Sequence, residues 1–213
     1  MAWYWHRVSL LLKQAHHEPI AVDLPSDDAS ASLDDYADVA VRAIGKRANV
    51  ILVAQSLGGF TAPFVCARAP VRMLVFVNAM IPLPGETAGT WWDNTGAVEA
   101  RVAAARQGGY SVEFDLRTYF LHDVPEEVLR AGPVQREQAE TIFADPCRFQ
   151  RWPQIPIRVI ASADDRFFPL GFQRGVARAR LDKDVEVVPG GHLVALSHPE
   201  EVVQALLRYE REV

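Results

Sequence analysis

A serine placed between an apolar strand and a helix is the most constraining feature of this sequence. Val50-Ile51-Leu52-Val53-Ala54 leads into Gln55-Ser56-Leu57-Gly58-Gly59, and Phe60 to Arg68 continues in a helical pattern. A sharp strand-to-helix turn lifts a serine hydroxyl off the end of a sheet and aims the helix N-terminus at it. The amide of Leu57 then faces the place where an oxyanion would form. Strand and helix nearly touch at such a turn, so small residues are expected on either side; here they are Ala54 and Gly58.

A serine nucleophile needs a base, and the base needs a carboxylate to orient it. Both occur in the C-terminal third. Arg158-Val159-Ile160-Ala161-Ser162 reads as a buried strand followed by Ala163-Asp164-Asp165-Arg166-Phe167-Phe168-Pro169. Val185-Glu186-Val187-Val188 reads as a short strand that runs into Pro189-Gly190-Gly191-His192. Loops past the C-terminal ends of parallel strands meet at one rim, so these residues can converge with Ser56 despite their separation. Asp164 is the natural turn residue. Asp165 has a D-x-x-x-P spacing to Pro169, where a helix would begin. His198 precedes Pro199-Glu200-Glu201 and reads as the N-cap of the last helix. His16 and His17 end an exposed helix, and His122 reads as structural. No H-E-x-x-H, C-x-x-C or G-x-G-x-x-G pattern occurs, so no metal or nucleotide cofactor is implied.

Elsewhere helices and strands alternate. Trp5, Val8, Leu12 and Ala15 share one face of a first helix, and Ile20-Ala21-Val22-Asp23-Leu24 reads as a strand ended by Pro25. Ser32-Leu33-Asp34-Asp35 has capping-box spacing and opens a helix running to about Lys46. Met73-Leu74-Val75-Phe76-Val77 is the strand after the serine turn. Such βα alternation predicts a mostly parallel, doubly wound α/β sheet with helices on both faces. The pattern breaks between Pro82 and Pro156, with weak helical signals near 96–107 and 125–143. The expectation is a single domain, 1–213, with a core of 1–82 and 156–213 and an inserted cap of 83–155 above the rim. Gln55, Trp91, Trp92, Tyr119 and Phe120 are candidates for substrate contact; the cap aromatics could instead form the cap's own small core.

Composition narrows the class. A hydrophobic content of 49% is that of an ordinary globular chain. The formal net charge of −5, without any Lys- or Arg-rich run, gives no footprint for nucleic acid. The apolar run from Val71 to Leu83 is too short to span a bilayer and includes Arg72 and Asn78, so no membrane partner is expected. Cys66 and Cys147 are too few for a disulfide framework, and the first residues lack the pattern of a signal peptide; a reducing cytoplasm is the simplest reading. Oligomeric state is open, and a homodimer is compatible with the sequence.

The runs Val53-Ala54-Gln55-Ser56-Leu57-Gly58-Gly59, Asp164-Asp165-Arg166-Phe167-Phe168-Pro169 and Gly190-Gly191-His192 resemble the α/β-hydrolase family, most closely its small plant-type methylesterase and hydroxynitrile lyase branch and bacterial relatives. The likeness spans nearly the whole chain, although Ala54 stands where the family's usual glycine would be. By that resemblance Ser56 is nucleophile, Asp165 acid and His192 base, and another family position for the acid holds neutral Asn78. The implied activity is a serine carboxylesterase for small apolar esters, working through an acyl-enzyme without a cofactor. The lyases carry a lysine after the base histidine; Leu193 stands there, which favours a hydrolase over a cyanohydrin lyase. A further alternative is a ligand-binding protein with impaired catalysis. In the family a strand precedes the first helix, lies between the strands corresponding to 20–24 and 50–54, and is followed by a loop that gives a second oxyanion amide. Here the chain opens on the helix. The expectation is therefore an unfilled gap between 20–24 and 50–54, an incomplete oxyanion hole, and a Met1 that is a late start of a longer functional protein.

Overall fold

The computed structural model describes residues 1–134 and 136–212. Its frame is one parallel sheet of β1 (Val50–Gln55), β2 (Val71–Val77), β3 (Ile157–Ser162) and β4 (Glu186–Val188), adjacent in that order. Helices α1 (His6–Gln14) and α2 (Leu33–Ile44) precede β1, and α3 (Gly58–Arg68) crosses to β2. Among the described residues, α4 (Ala88–Thr95), α5 (Ala97–Gly108), α6 (Leu116–Tyr119) and α7 (Glu126–Ala131) lie between β2 and β3. Helix α8 (Leu170–Leu181) joins β3 to β4, and α9 (Val194–Ser197) and α10 (Pro199–Glu210) end the chain.

The strands read as nearly unbroken apolar runs because both faces of the sheet are covered. On one face Leu74, Phe76, Ile157 and Val159 join a core with Tyr36 of α2, Val65 of α3 and Val176 of α8. On the other, Met73, Val75, Val77 and Ile160 pack with Val8 of α1 and with Val202 and Leu206 of α10. The alternation follows from the period of two along a strand. The capping box is formed: the Asp35 amide donates to Ser32 Oγ (3.2 Å) and the Ser32 amide to Asp35 Oδ2 (2.8 Å). Gly45, at φ 58°, ends α2 one residue after Ile44.

Residues 20–24 depart from the sequence reading. They form no strand, and among the described residues β1 pairs only with β2. An extended segment becomes a strand only by exchanging backbone hydrogen bonds with a neighbour, and this one has none beside it. As expected, the segment does not close against β1. A cleft of about 860 Å³ separates them, walled by Val8 and Leu12 of α1, Ile20, Val22, and Ala40 and Ile44 of α2. It follows β1 to Ser56 and His192. Hence Val50 to Val53 are only partly buried, whereas Met73 to Val77 are 0% exposed.

The segment between β2 and β3 is pinned at its root. Arg180 of α8 donates to both carboxylate oxygens of buried Glu86 and, at 2.6 Å, to the Ile81 carbonyl. Burial pushes the Glu86 carboxyl upward, but hydrogen bonds from Arg180, Asn94 and the Leu83 amide outweigh it and hold the group below its ordinary value. The helical signal over 125–143 yields only α7 and a 3-10 turn at Glu140–Ala144, because Gly132 and Pro133 end the helix.

The glycine that α3 needs for space is Gly59, not Gly58, and what it abuts is the chain just past β2 rather than a strand. A Cβ on Gly59 would land on the Met80 carbonyl oxygen, with its carbon at 2.9 Å; one on Gly58 would meet nothing within 4 Å. Gly59→Ala should therefore cost about 1–3 kcal/mol, the usual range for overpacking. That lowers the melting temperature by about 2–4 °C per kcal/mol in a chain of this size. Gly58→Ala should leave it unchanged or slightly raised. Equal melting temperatures for the two variants would refute the assignment.

Candidate active site

The C-terminal ends of β1, β2, β3 and β4 deliver Ser56, Asn78, Asp165 and His192 to one rim. Ser56 sits at φ 50°, a left-handed conformation that costs a non-glycine residue on the order of 1–3 kcal/mol and persists only where its surroundings impose it. The surroundings here are a sheet strand on one side and α3 on the other, with the Met80 amide donating to the Ser56 carbonyl at 3.0 Å. Leu57 follows as the residue that caps α3, so its amide belongs to the helix end that has no intrahelical acceptor.

Ser56 Oγ lies 3.1 Å from His192 Nε2, and His192 Nδ1 lies 2.9 Å from Asp165 Oδ2. His192 is 0% exposed and Asp165 4%. The Asp165 carboxylate is held by further donors: Oδ1 accepts from the Phe167 and Phe168 amides at 2.8 and 2.9 Å, and Oδ2 from Gln173 Nε2 at 3.3 Å. Those bonds fix the carboxylate against the imidazole. Asp164 points elsewhere; its Oδ2 accepts from the Gly190 amide at 3.3 Å, joining the acid loop to the base loop.

The backbone carrying His192 is clamped from the sheet. Asn78, 0% exposed, donates through Nδ2 to the carbonyls of Gly191 and His192, both at 3.1 Å, and to Ser162 Oγ at 2.8 Å. Its Oδ1 accepts from the Ser162 amide at 2.8 Å. Gln55 Nε2 donates to the His192 carbonyl at 2.8 Å. The side-chain rings of Phe120, Phe167 and Phe168 surround the imidazole, with centroids at 4.6, 5.1 and 5.3 Å.

A half-buried serine backed by a buried imidazole and carboxylate, beside a helix N-terminus, is the arrangement in which imidazole can take up a hydroxyl proton and carry it to a leaving group. Residues 1–205 match the model of the alpha/beta hydrolase family. The chain belongs to that family. A curated relative, methyl jasmonate esterase 1 of Vitis vinifera, is 33% identical over 95 residues, a stretch covering 39% of this chain and 36% of that relative. The match thus spans little more than a third of the relative's length. Among solved structures, the methylesterase MES16 from Arabidopsis superposes with a TM-score of 0.76 at 20% identity, covering 100% of this chain and 94% of that one. A pyrethroid hydrolase from Sphingobium faniae JZ-2 gives 0.77 at 19% identity, covering 99% and 92%. At such identities the superpositions establish the fold.

Within this alpha/beta hydrolase the sequence candidates divide. Trp92 and Phe120 line the cleft that reaches Ser56 and His192, together with Leu57, Phe114, Phe167 and Met80. Trp91 does not. It is 0% exposed, its Nε1 donates to the Ile81 carbonyl at 3.1 Å, and its ring packs on Phe168 and Phe172. Tyr119 is likewise 0% exposed, with its hydroxyl on the Ser111 carbonyl and its ring against Tyr110 and Phe114. Both fill the interior. Adjacent positions on α4 point about 100° apart, so burial of Trp91 is compatible with Trp92 facing the cleft. Gln55 lines the cleft, but its amide nitrogen is engaged on the base loop. His198 occupies the N-cap position of α10 with Pro199 at its first turn, yet its side chain makes no capping bond. Burial pushes the His122 imidazole down, toward the neutral form. Burial likewise pushes the Cys66 and Cys147 thiols up to about 12, which leaves neither as a thiolate nucleophile at neutral pH.

The phenylalanines at 114 and 167 are functional candidates that the sequence reading passed over, and Asn78 entered it only as the neutral occupant of an alternative acid position, not as a clamp on the base loop. A signal for Asn78 was available: a lone amide inside the apolar run 71–83, immediately past a strand end on the same rim as Ser56.

Proposed function

We propose that this hydrolase is a serine carboxylesterase acting on small apolar esters through an acyl-enzyme. The observation that carries the reading is the continuous chain from Ser56 Oγ through His192 to Asp165, closed by bonds of 3.1 and 2.9 Å. His192 Nε2 takes the Ser56 proton as Oγ attacks the ester carbonyl carbon. Asp165 holds the Nδ1–H tautomer and stabilises the imidazolium. The Leu57 amide donates to the oxyanion. His192 returns the proton to the alcohol as it leaves, and water then attacks the acyl-serine with His192 again as base. The aromatic side chains near Ser56 and His192 supply apolar contact, which suits neutral esters. Residues 83–155 serve as the cap in this reading.

Leu193 is buried in an apolar cluster with Val124 and Leu196, so no ammonium follows the base; this supports hydrolysis over cyanohydrin cleavage. One feature favours a ligand-binding protein with impaired catalysis. The cleft along the outer edge of β1 leaves the side of Ser56 opposite β2 open, where a loop could have offered a second oxyanion donor.

Fluorophosphonate labelling of the folded protein, with a panel of p-nitrophenyl and methyl esters, decides between the two. The esterase reading expects label on Ser56 and turnover of short neutral esters. A folded protein that binds such esters but is neither labelled nor active would overturn it.

A further inference from the structure

The loop that carries His192 is also held from the segment inserted between β2 and β3. Asp123, in the turn between α6 and α7, accepts the Gly191 amide through Oδ2 at 2.5 Å across 68 residues of sequence. Asn78, Gln55 and Asp164 hold the same loop from the ends of β2, β1 and β3. We infer that Asp123 is a positioning residue for the base, tying the register of His192 to the segment inserted between β2 and β3. The inference rests on the serine esterase reading for its kinetic consequence.

Three independent features support it. First, Gly191 is shaped by this contact. An added Cβ would lie 2.6 Å from Asp123 Oδ1 and 2.7 Å from His122 Nε2, and its φ is not among the positive values. A side chain there would have to displace the Asp123 carboxylate and the His122 ring, so the bare backbone lets the carboxylate sit directly against it. Second, the neighbouring apolar side chains make the contact part of a packed unit. Val124 from the turn and Leu193 and Leu196 from beyond the base form one buried cluster, with Leu121, Val128 and Leu129 against it. Third, Phe120, three residues before Asp123, lies tilted against the His192 ring with centroids 4.6 Å apart. Thus one short stretch grips the imidazole, the preceding amide and the following side chain.

Two imidazoles also lie near the carboxylate, but neither hydrogen-bonds it. His198 Nδ1 stands 3.7 Å from Asp123 Oδ2, beyond hydrogen-bond reach, and Asp123 Oδ1 has no hydrogen-bond partner among the described residues. The amide of Gly191 is therefore its one hydrogen-bonded partner among those residues. Losing the acceptor frees the backbone one residue before the base, and a small misplacement of a reacting group typically costs on the order of 10²-fold in rate.

The test compares Asp123→Ala, Asp123→Asn and Gly191→Ala with the parent. Asp123→Ala should lower kcat on the order of 10²-fold with little change in KM, since substrate contacts persist. Asp123→Asn keeps an acceptor oxygen and should restore most of kcat. Gly191→Ala breaks the contact from the other side, and its effect should be less than additive with Asp123→Ala. The downfield NMR resonance of the proton between His192 and Asp165 gives a readout without turnover. It should shift or broaden in Asp123→Ala and return in Asp123→Asn. Parental kcat and an unmoved resonance in Asp123→Ala would overturn the inference. An inactive parent whose resonance still responds to Asp123→Ala would refute the esterase reading and uphold the positioning role. If Asp123→Ala does not fold, Gly191→Ala carries the same comparison.

Discussion

Ser56→Ala and His192→Ala are each expected to lower kcat for a p-nitrophenyl ester by on the order of 10⁴-fold or more, about 5.5 kcal/mol of barrier. The expectation follows from the geometry. Ser56 Oγ has one imidazole nitrogen within hydrogen-bond reach, and that nitrogen has no other recorded partner among the described residues. Members of such a chain act as a unit, so the double variant should be scarcely worse than either single one. Neither change should unfold the protein. Ser56→Ala removes one oxygen at the cleft and in principle relieves no packing contact, while His192→Ala opens a space among Phe120, Phe167 and Phe168 and should lower the melting temperature more. Steady-state kinetics on the purified variants, with circular dichroism to establish folding, check both parts. Turnover by folded Ser56→Ala comparable to the parent would sink the mechanism.

The serine turn was legible because its determinants are local. An apolar run, a serine and two glycines specify a strand, a left-handed residue and a helix start within ten positions. The capping box at Ser32 and the doubly covered sheet were readable for the same reason, since period and end signals lie within each element. What the sequence withheld depends on partners far along the chain. Residues 20–24 carry the alternation of a strand, but a strand is a relation between two segments, and β1 does not lie beside them. Trp91 and Trp92 are indistinguishable by residue type; the rotation of α4 against Phe168 and Phe172 buries the first and turns the second to the cleft. The sequence pattern points to Gly58 as the small residue, and only the path of the chain past Met80 shows that Gly59 is the one that must be bare. The grip of Asp123 on Gly191 lay furthest from view, because nothing near either residue encodes a contact 68 positions away.

Asp165→Asn should depress kcat about 10⁴-fold, whereas Asp164→Asn should change it far less. The two adjacent carboxylates differ in what they touch. Asp165 receives the Phe167 and Phe168 amides on Oδ1, which aims Oδ2 at His192 Nδ1 at 2.9 Å. An asparagine held by the same two amides would accept them through its oxygen and present its NH₂ to the imidazole. Nδ1 would then have to accept, Nε2 would carry the proton, and Ser56 Oγ would face a donor in place of a base. The charge that stabilises the imidazolium would be lost as well. In Asp164→Asn the imidazole keeps its partner, and the altered side chain meets the Gly190 amide at 3.3 Å, a bond that an amide oxygen can still accept. The variants differ by a single position and by the same chemical change, so bulk effects of lost charge cancel in the comparison. Measuring kcat for both with one substrate at one pH is sufficient. A greater loss in Asp164→Asn than in Asp165→Asn would show that the imidazole is oriented by something other than the carboxylate bonded to it.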